Sequence, residues 1–371
     1  SVLVLLPVLI MPLNMLVNER RLYLVVAGLC WLLAWAAARR PLPWLYLLLP
    51  VGAALTWARN EVWRDELSLW RDARAKAPTM YRVQTNLGKA LQLSGDTQGA
   101  LAAYQAAIGL DNRHGDAYNN VATILHQQGR LDEAIGWYRQ ALERYPDHAE
   151  IYQNLADAFS QKGDLVQAAA MYEQALRLDP ENGAAWNNSG QTLYQAGRLD
   201  EAEGAFRRAA ELLPQQAEPH NNLGNLYSRR GDHERAIGEY QQALDRHPAE
   251  EAPVRLNLGL ALKEAGRPEA AVAAFAQVLH LDPAEQRARV EWAELLAEQG
   301  RHAEAAALFE QTVARDARHA RAWYGLARSR EALGHPREAA VAYRRFLEVW
   351  TGGEERAAVA RARLQVLEGG R

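Results

Sequence analysis

From residue 81 to about residue 350, the small and aromatic positions of this chain return on one clock. Glycine stands at Gly95, Gly129, Gly163, Gly197, Gly231, Gly266, Gly300 and Gly334, at intervals of 34 residues with a single 35 between Gly231 and Gly266. Five residues after each glycine comes an alanine (Ala100, Ala134, Ala168, Ala202, Ala236, Ala271, Ala305, Ala339). Four residues later stands an aromatic (Tyr104, Tyr138, Tyr172, Phe206, Tyr240, Phe275, Phe309, Tyr343). Seven residues before each glycine the side chain is absent or a methyl: Gly88, Ala122, Ala156, Gly190, Gly224, Gly259, Ala293, Ala327. An interval of this length is one helix–turn–helix unit. The pattern therefore predicts an all-α fold, a right-handed solenoid of about eight helix pairs, with helix A before each glycine and helix B after it. The glycine supplies the positive φ that ends helix A. The small residue before it lets A lie close to B, the alanine marks the closest contact in B, and the aromatic fills the gap to the next repeat. Pro146, Pro180, Pro214, Pro248 and Pro283 end helix B.

The first 57 residues are of another kind. Runs at 1–17, 22–38 and 44–57 are almost wholly apolar, and the last two, which carry no charge, are separated by Arg39-Arg40-Pro41-Leu42-Pro43. They are short against the roughly 20 residues a span needs, but flanking Trp, Tyr and Arg extend the reach at the interface. Residues 1–57 are expected to be membrane segments, with a hairpin of spanning helices at about 22–38 and 44–60. Ser1 is no initiator, and the apolar run is under way at residue 2, which points to a piece of a longer polytopic protein. The positive-inside tendency puts Arg39-Arg40 in the cytoplasm and the repeats outside.

Extending the clock upstream places Trp70 at the aromatic position and Pro78 at the helix-ending position. Residues 61–77 thus read as helix B of a half-repeat, within a junction or cap over 61–80. At the other end, 354–368 reads as a capping helix whose apolar side (Ala358, Val359, Ala362, Leu364, Val366, Leu367) covers the last repeat.

Charge and composition narrow the chemistry. A formal net charge of −3 over 371 residues offers no basic excess for nucleic acid. The one cysteine, Cys30, excludes an internal disulfide. Ten histidines are scattered without metal-ligand spacing, so no metal or cofactor is expected. Residues 58–371 hold no catalytic constellation, and carboxylates such as Asp132-Glu133 and Asp200-Glu201 read as solvated helix faces with i,i+4 support.

One constellation remains. Two residues before the small residue of helix A lies an asparagine in six consecutive repeats: Asn86, Asn120, Asn154, Asn188, Asn222 and Asn257. Asn119, Asn187 and Asn221 precede three of them, and one turn further on stand Lys89, Asp157, Gln191 and Asn225. Asparagine is a poor helix former, so six in register call for a reason. A primary amide offers the donors and acceptor that match a peptide unit. A row of them along a concave groove would hold an extended protein segment by its backbone, with the neighbouring positions tuning side-chain choice. On this reading the amides are largely solvent-facing in the free protein. The alternative is that each amide bonds to the next repeat. The row stops at Glu291 and Gly325.

Residues 81–350 resemble tetratricopeptide repeats. The helices with NNVA at 119–122, NNSG at 187–190 and NNLG at 221–224 look like the repeats of O-linked N-acetylglucosamine transferase. There an asparagine ladder binds substrate backbone, and the six asparagines occupy the matching place. NERRLY at 18–23, the apolar hairpin and RNEVWRDELSLWRDARAKAP at 59–78 resemble the transmembrane-and-tetratricopeptide-repeat family, polytopic GT-C glycosyltransferases with extracytoplasmic repeats. That family's catalytic acids lie in an early loop this chain does not contain, so no catalytic residue carries over. Two expectations follow. The first is a membrane-anchored scaffold binding a protein segment, at home in a bacterial inner membrane with its repeats outside. The second is the substrate-presenting tail of a glycosyltransferase.

Overall fold

A computed structural model describes residues 64–369. The expected spanning hairpin lies outside the described residues, and no described helix is long and apolar enough to cross a membrane. The described chain forms 18 α-helices and no strand. It divides into two compact units at Asp179 and Pro180.

The first unit opens on α1 (Glu66–Lys76), followed by the pairs α2 (Tyr81–Leu93) and α3 (Thr97–Leu110), α4 (Gly115–Gln127) and α5 (Leu131–Leu142), and α6 (Ala149–Lys162) and α7 (Leu165–Leu178). α1 begins later than the expected residue 61. Asp65 has extended backbone, and its carboxylate accepts from the Ser68 N–H at 2.7 Å, an N-cap that fixes the start. Each helix lies against the next along the chain, and the core of the unit is the apolar stripe between them, around Leu87, Tyr104, Val121, Ile124 and Tyr138.

The second unit holds five pairs: α8 (Gly183–Gln195) and α9 (Leu199–Leu212), α10 (Glu218–Arg229) and α11 (His233–Asp245), α12 (Glu251–Glu264) and α13 (Pro268–Leu281), α14 (Gln286–Glu298) and α15 (His302–Arg315), and α16 (Ala320–Ala332) and α17 (Pro336–Val349). It closes on α18 (Glu354–Gly369). The additional residue of the 35-residue interval falls between Pro248 and Val254. His247, just before it, is the one described non-glycine residue with positive φ.

The clock has a direct structural cause at each position. All eight spacing glycines adopt φ between 72° and 86°. The eight alanines after them are fully buried. A methyl group built on Gly88 would stand 2.5 Å from the Tyr104 ring, and one on Gly224 2.5 Å from Tyr240. The aromatic of helix B therefore covers the small residue of its own repeat. It also reaches the next one, because a methyl on Gly325 would collide with Phe309 of the repeat before it.

A further regularity was missed in the sequence. In four of the eight repeats, eleven residues before the clock glycine, a side-chain donor reaches back to the carbonyl that precedes helix A. Gln84 donates to Pro78 (3.0 Å), Trp186 to Pro180 (3.0 Å), Trp323 to Ala317 (2.9 Å) and Arg289 to Pro283. In some repeats an arginine at the end of helix B binds the same carbonyl: Arg144 that of Asn112 (2.6 Å), Arg246 that of Pro214 (2.9 Å), Arg315 that of Pro283 (2.6 Å). The signal was present in the spacing, but the residue type changes from repeat to repeat, and only the shared donor reveals the role.

The capping helix departs from expectation. α18 buries Ala357 and Ala360, with Leu364 and Leu367 packed against the last repeat. Val359 and Val366, assigned to the covering side, are 47% and 65% exposed, and Ala358 and Ala362 are exposed with them. At 100° per residue, positions 357, 360, 364 and 367 form one stripe and 358, 359, 362 and 366 another. The carboxylates also differ from the expected i,i+4 support. Glu133 and Glu201 pair with Arg130 and Arg198 three residues back at 2.6 Å, while Asp132 and Asp200 reach Lys162 and Arg230 of the following repeat at 2.5 Å.

Candidate functional site

The asparagine row is set by the packing of successive A helices. In the first unit α4 touches α6, and in the second α8 touches α10 and α10 touches α12. Every residue of the row is half-buried rather than open to solvent. Asn154 donates its amide N–H to Asn119 Oδ1 of the preceding repeat at 3.2 Å. Asn222 does the same to Asn187 at 2.9 Å, and Asn257 to Asn225 at 3.1 Å. Three amides of the row are thus engaged between repeats, as the alternative reading required. The side-chain amides of Asn86, Asn120 and Asn188 have no hydrogen-bond partner among the described residues, and Asn120 Nδ2 is buried without one. Asn221 Oδ1 is likewise buried and unpartnered.

The neighbouring positions divide in the same way. Tyr172 donates its hydroxyl to Asp157, Tyr240 donates to Asn225 at 2.8 Å, and Tyr138 donates to Thr123 at 3.2 Å. Burial pushes the hydroxyls of Tyr138 and Tyr240 up to about 12, so they remain donors. Asp157 and Asn225 are therefore held by their own helix B, while Lys89 and Gln191 are exposed. Phe206 brings no hydroxyl to the repeat of Gln191, and in the repeat of Lys89 the Tyr104 hydroxyl donates to Gln92 at 3.1 Å instead.

Where the row stops, charge replaces it. Glu291, only 5% exposed, receives Lys263 of α12 at 2.6 Å and Arg321 of α16 at 2.7 Å, and Arg321 also holds Glu294. Burial opposes ionisation of Glu291. The hydrogen bonds from Arg321 and Lys263 outweigh it, and the carboxyl lies below its usual range. Four charged groups thus tie three A helices together. No group of three or more metal-ligating side chains exists among the described residues.

Sequence models of the tetratricopeptide repeat match residues 81–114, 114–181, 154–217, 215–284, 256–320 and 296–348. Together they span 81–348, well over half of the chain, and the chain belongs to the tetratricopeptide repeat family. No curated protein matches it. Among solved structures it is similar to YrrB, described as a tetratricopeptide repeat protein with an unusual peptide-binding site. The TM-score is 0.47 at 20% identity, over 52% of this chain and 97% of that one. MamA matches with a TM-score of 0.43 at 23% identity, over 45% and 90%. The Cut9–Hcn1 hetero-tetramer of the APC/C matches with 0.49 at 18% identity, over 71% and 52%.

Proposed function

We propose that the chain is a membrane-anchored scaffold whose A helices hold an extended protein segment by its backbone. The repeats themselves make it a protein-interaction module. The observation that carries the finer reading is the divided asparagine row. Amides already bonded between repeats leave Asn86 and Asn188 with free donors and acceptors at the same register, one in each unit, whereas Asn120 Nδ2 is buried. A backbone that runs along the A helices of either unit satisfies the free groups there regardless of its side chains. Lys89 and Gln191, exposed beside the row, are free to select side chains.

The division sets the test. Each amide that bonds the partner directly contributes roughly 0.5–1.5 kcal/mol net. Asn86→Ala with Asn188→Ala is expected to weaken capture of an unfolded polypeptide by up to a hundredfold and to leave the melting temperature near that of the parent. Asn154→Ala with Asn222→Ala is expected to lower both, because it also breaks two bonds between repeats. A first double variant that captures polypeptide as tightly as the parent removes the row as a binding device.

Anchoring rests on the apolar segments within residues 1–57, and the extracytoplasmic placement of the repeats on the resemblance over residues 15–100. Protease that reaches the repeats of intact cells only after the inner membrane is opened overturns that placement. The same resemblance is what favours a second reading, in which the repeats present a substrate to a catalytic region encoded upstream. Apolar segments with an early acidic pair upstream of Ser1 in the gene are its test.

A further inference from the structure

We infer that the cavity between α1, α2 and α3 binds the phosphate headgroup of an anionic phospholipid. The cavity has a volume of about 350 Å³. Arg71 and Arg74 of α1 stand on one side of it, Gln84, Leu87 and Leu91 of α2 form a wall, and α3 lines it from Gly99 to Ala106. Neither arginine has an ion pair or hydrogen bond among the described residues. Of the other charges of α1, Lys76 holds Asp72 at 2.6 Å, and Glu66 stands in the first turn of the helix, more than one turn from Arg71 along the chain. Asp96 also lines the cavity, but its carboxylate caps α3 by accepting from the Gly99 N–H at 2.8 Å.

The space exists for an identifiable reason. Ala106 stands eleven residues after Gly95, and the other seven repeats carry glutamine or arginine at that position, Gln140 and Gln174 in the same unit. The first repeat alone has exchanged a long polar side chain for a methyl, opposite two unpaired guanidinium groups. A guanidinium pair fits a phosphate through bidentate hydrogen bonds. An apolar floor beside it fits the glycerol and first acyl carbons of a lipid, and a free phosphate would leave that floor unused. The choice of lipid rests on the anchoring proposed above. α1 begins nine residues after Trp57, so an anchored chain keeps α1 within about 30 Å of the bilayer.

Native mass spectrometry of the full chain in detergent, with phosphatidylglycerol or phosphatidylcholine added, tests the site. The parent is expected to retain phosphatidylglycerol in preference to phosphatidylcholine. Arg71→Gln with Arg74→Gln, and separately Ala106→Gln, are each expected to weaken that retention by about tenfold or more, since each loses charge-assisted bonds or the space for them. Ala106→Gln restores the residue of the neighbouring repeats and is expected to leave the melting temperature unchanged. Equal retention of phosphatidylcholine, variants that retain lipid like the parent, or complete displacement by millimolar inorganic phosphate each overturn the proposal, the last by assigning the site to a free anion. Alkaline carbonate that strips the chain from membranes refutes the anchor. Selective retention lost in both variants supports the site even then.

Discussion

At the scale of single residues, this protein is a set of positions at which few side chains fit. Gly231 has φ +76° and nothing within 4 Å of where a Cβ would stand, so its requirement is conformational alone. Gly231→Ala is expected to cost about 1–2 kcal/mol, read from chemical denaturation, because an alanine must hold the left-handed region without gaining or losing a contact. Arg289 is the opposite case, a residue the fold tolerates poorly. It is 3% exposed, its Nε and Nη1 have no partner, and it shares the Pro283 carbonyl with Arg315. Burial, with Arg315 beside it, holds its pKa below the usual range. The same position is Trp186 and Trp323 in other repeats, where the indole N–H makes the corresponding bond. Arg289→Trp is therefore expected to raise stability by about 1–3 kcal/mol, since it keeps a donor and removes a buried unpaired charge. A thermal melt lower than the parent's would contradict this.

At the scale of helices, the A helices are tied by amides in one stretch and by ions in the next. Their pH response should differ accordingly. The Glu291 carboxyl lies below its ordinary 4.5 in the folded chain. A depressed carboxyl contributes stability that is present above the unfolded value and is lost as pH falls through the folded one. The second unit is therefore expected to weaken progressively below about pH 4.5. Glu291→Gln is expected to lower stability at pH 7 by about 1–3 kcal/mol and to flatten the acid limb, because an amide cannot be protonated there. Melting temperatures of both proteins from pH 3 to 7 decide it: parallel curves would show that Glu291 does not govern the limb. The bonds between amides carry no such dependence, although Glu203, bonded to Tyr227 of α10 and to Arg230, is depressed in the same way and contributes to the same limb.

At the scale of the whole chain, stacked repeats need ends. α18 lies on the preceding repeat at the place of a next helix A. It places Arg361 where the other A helices carry a small residue, and no ring is present to collide with it. Removing residues 354–371 should expose Phe346 and Tyr343, both fully buried. The expected result is a second unit less stable by about 3 kcal/mol, the worth of the two leucines that α18 packs down, and a tendency to associate. Denaturation of the truncated chain, with its mass in solution, checks this.

Element type, pair order and most boundaries follow from the sequence, because each is enforced locally. A glycine that needs positive φ and a small residue under an aromatic ring leave the same mark in all eight repeats, and a proline after helix B does so in five of them. The row of asparagines is legible for the same reason. What the row does in the fold is not. Whether an amide faces solvent or the preceding repeat depends on the distance between A helices, and no residue encodes that distance alone. Asn154 and Asn222 are engaged and Asn86 and Asn188 are not, although all four share one register. α18 shows the same limit: its two apolar stripes are equally visible in sequence, and only contact with α17 decides which is covered. Periodicity fixes which residues share a face. The packing of one helix on another decides which face is buried and which polar groups are left to bind something else.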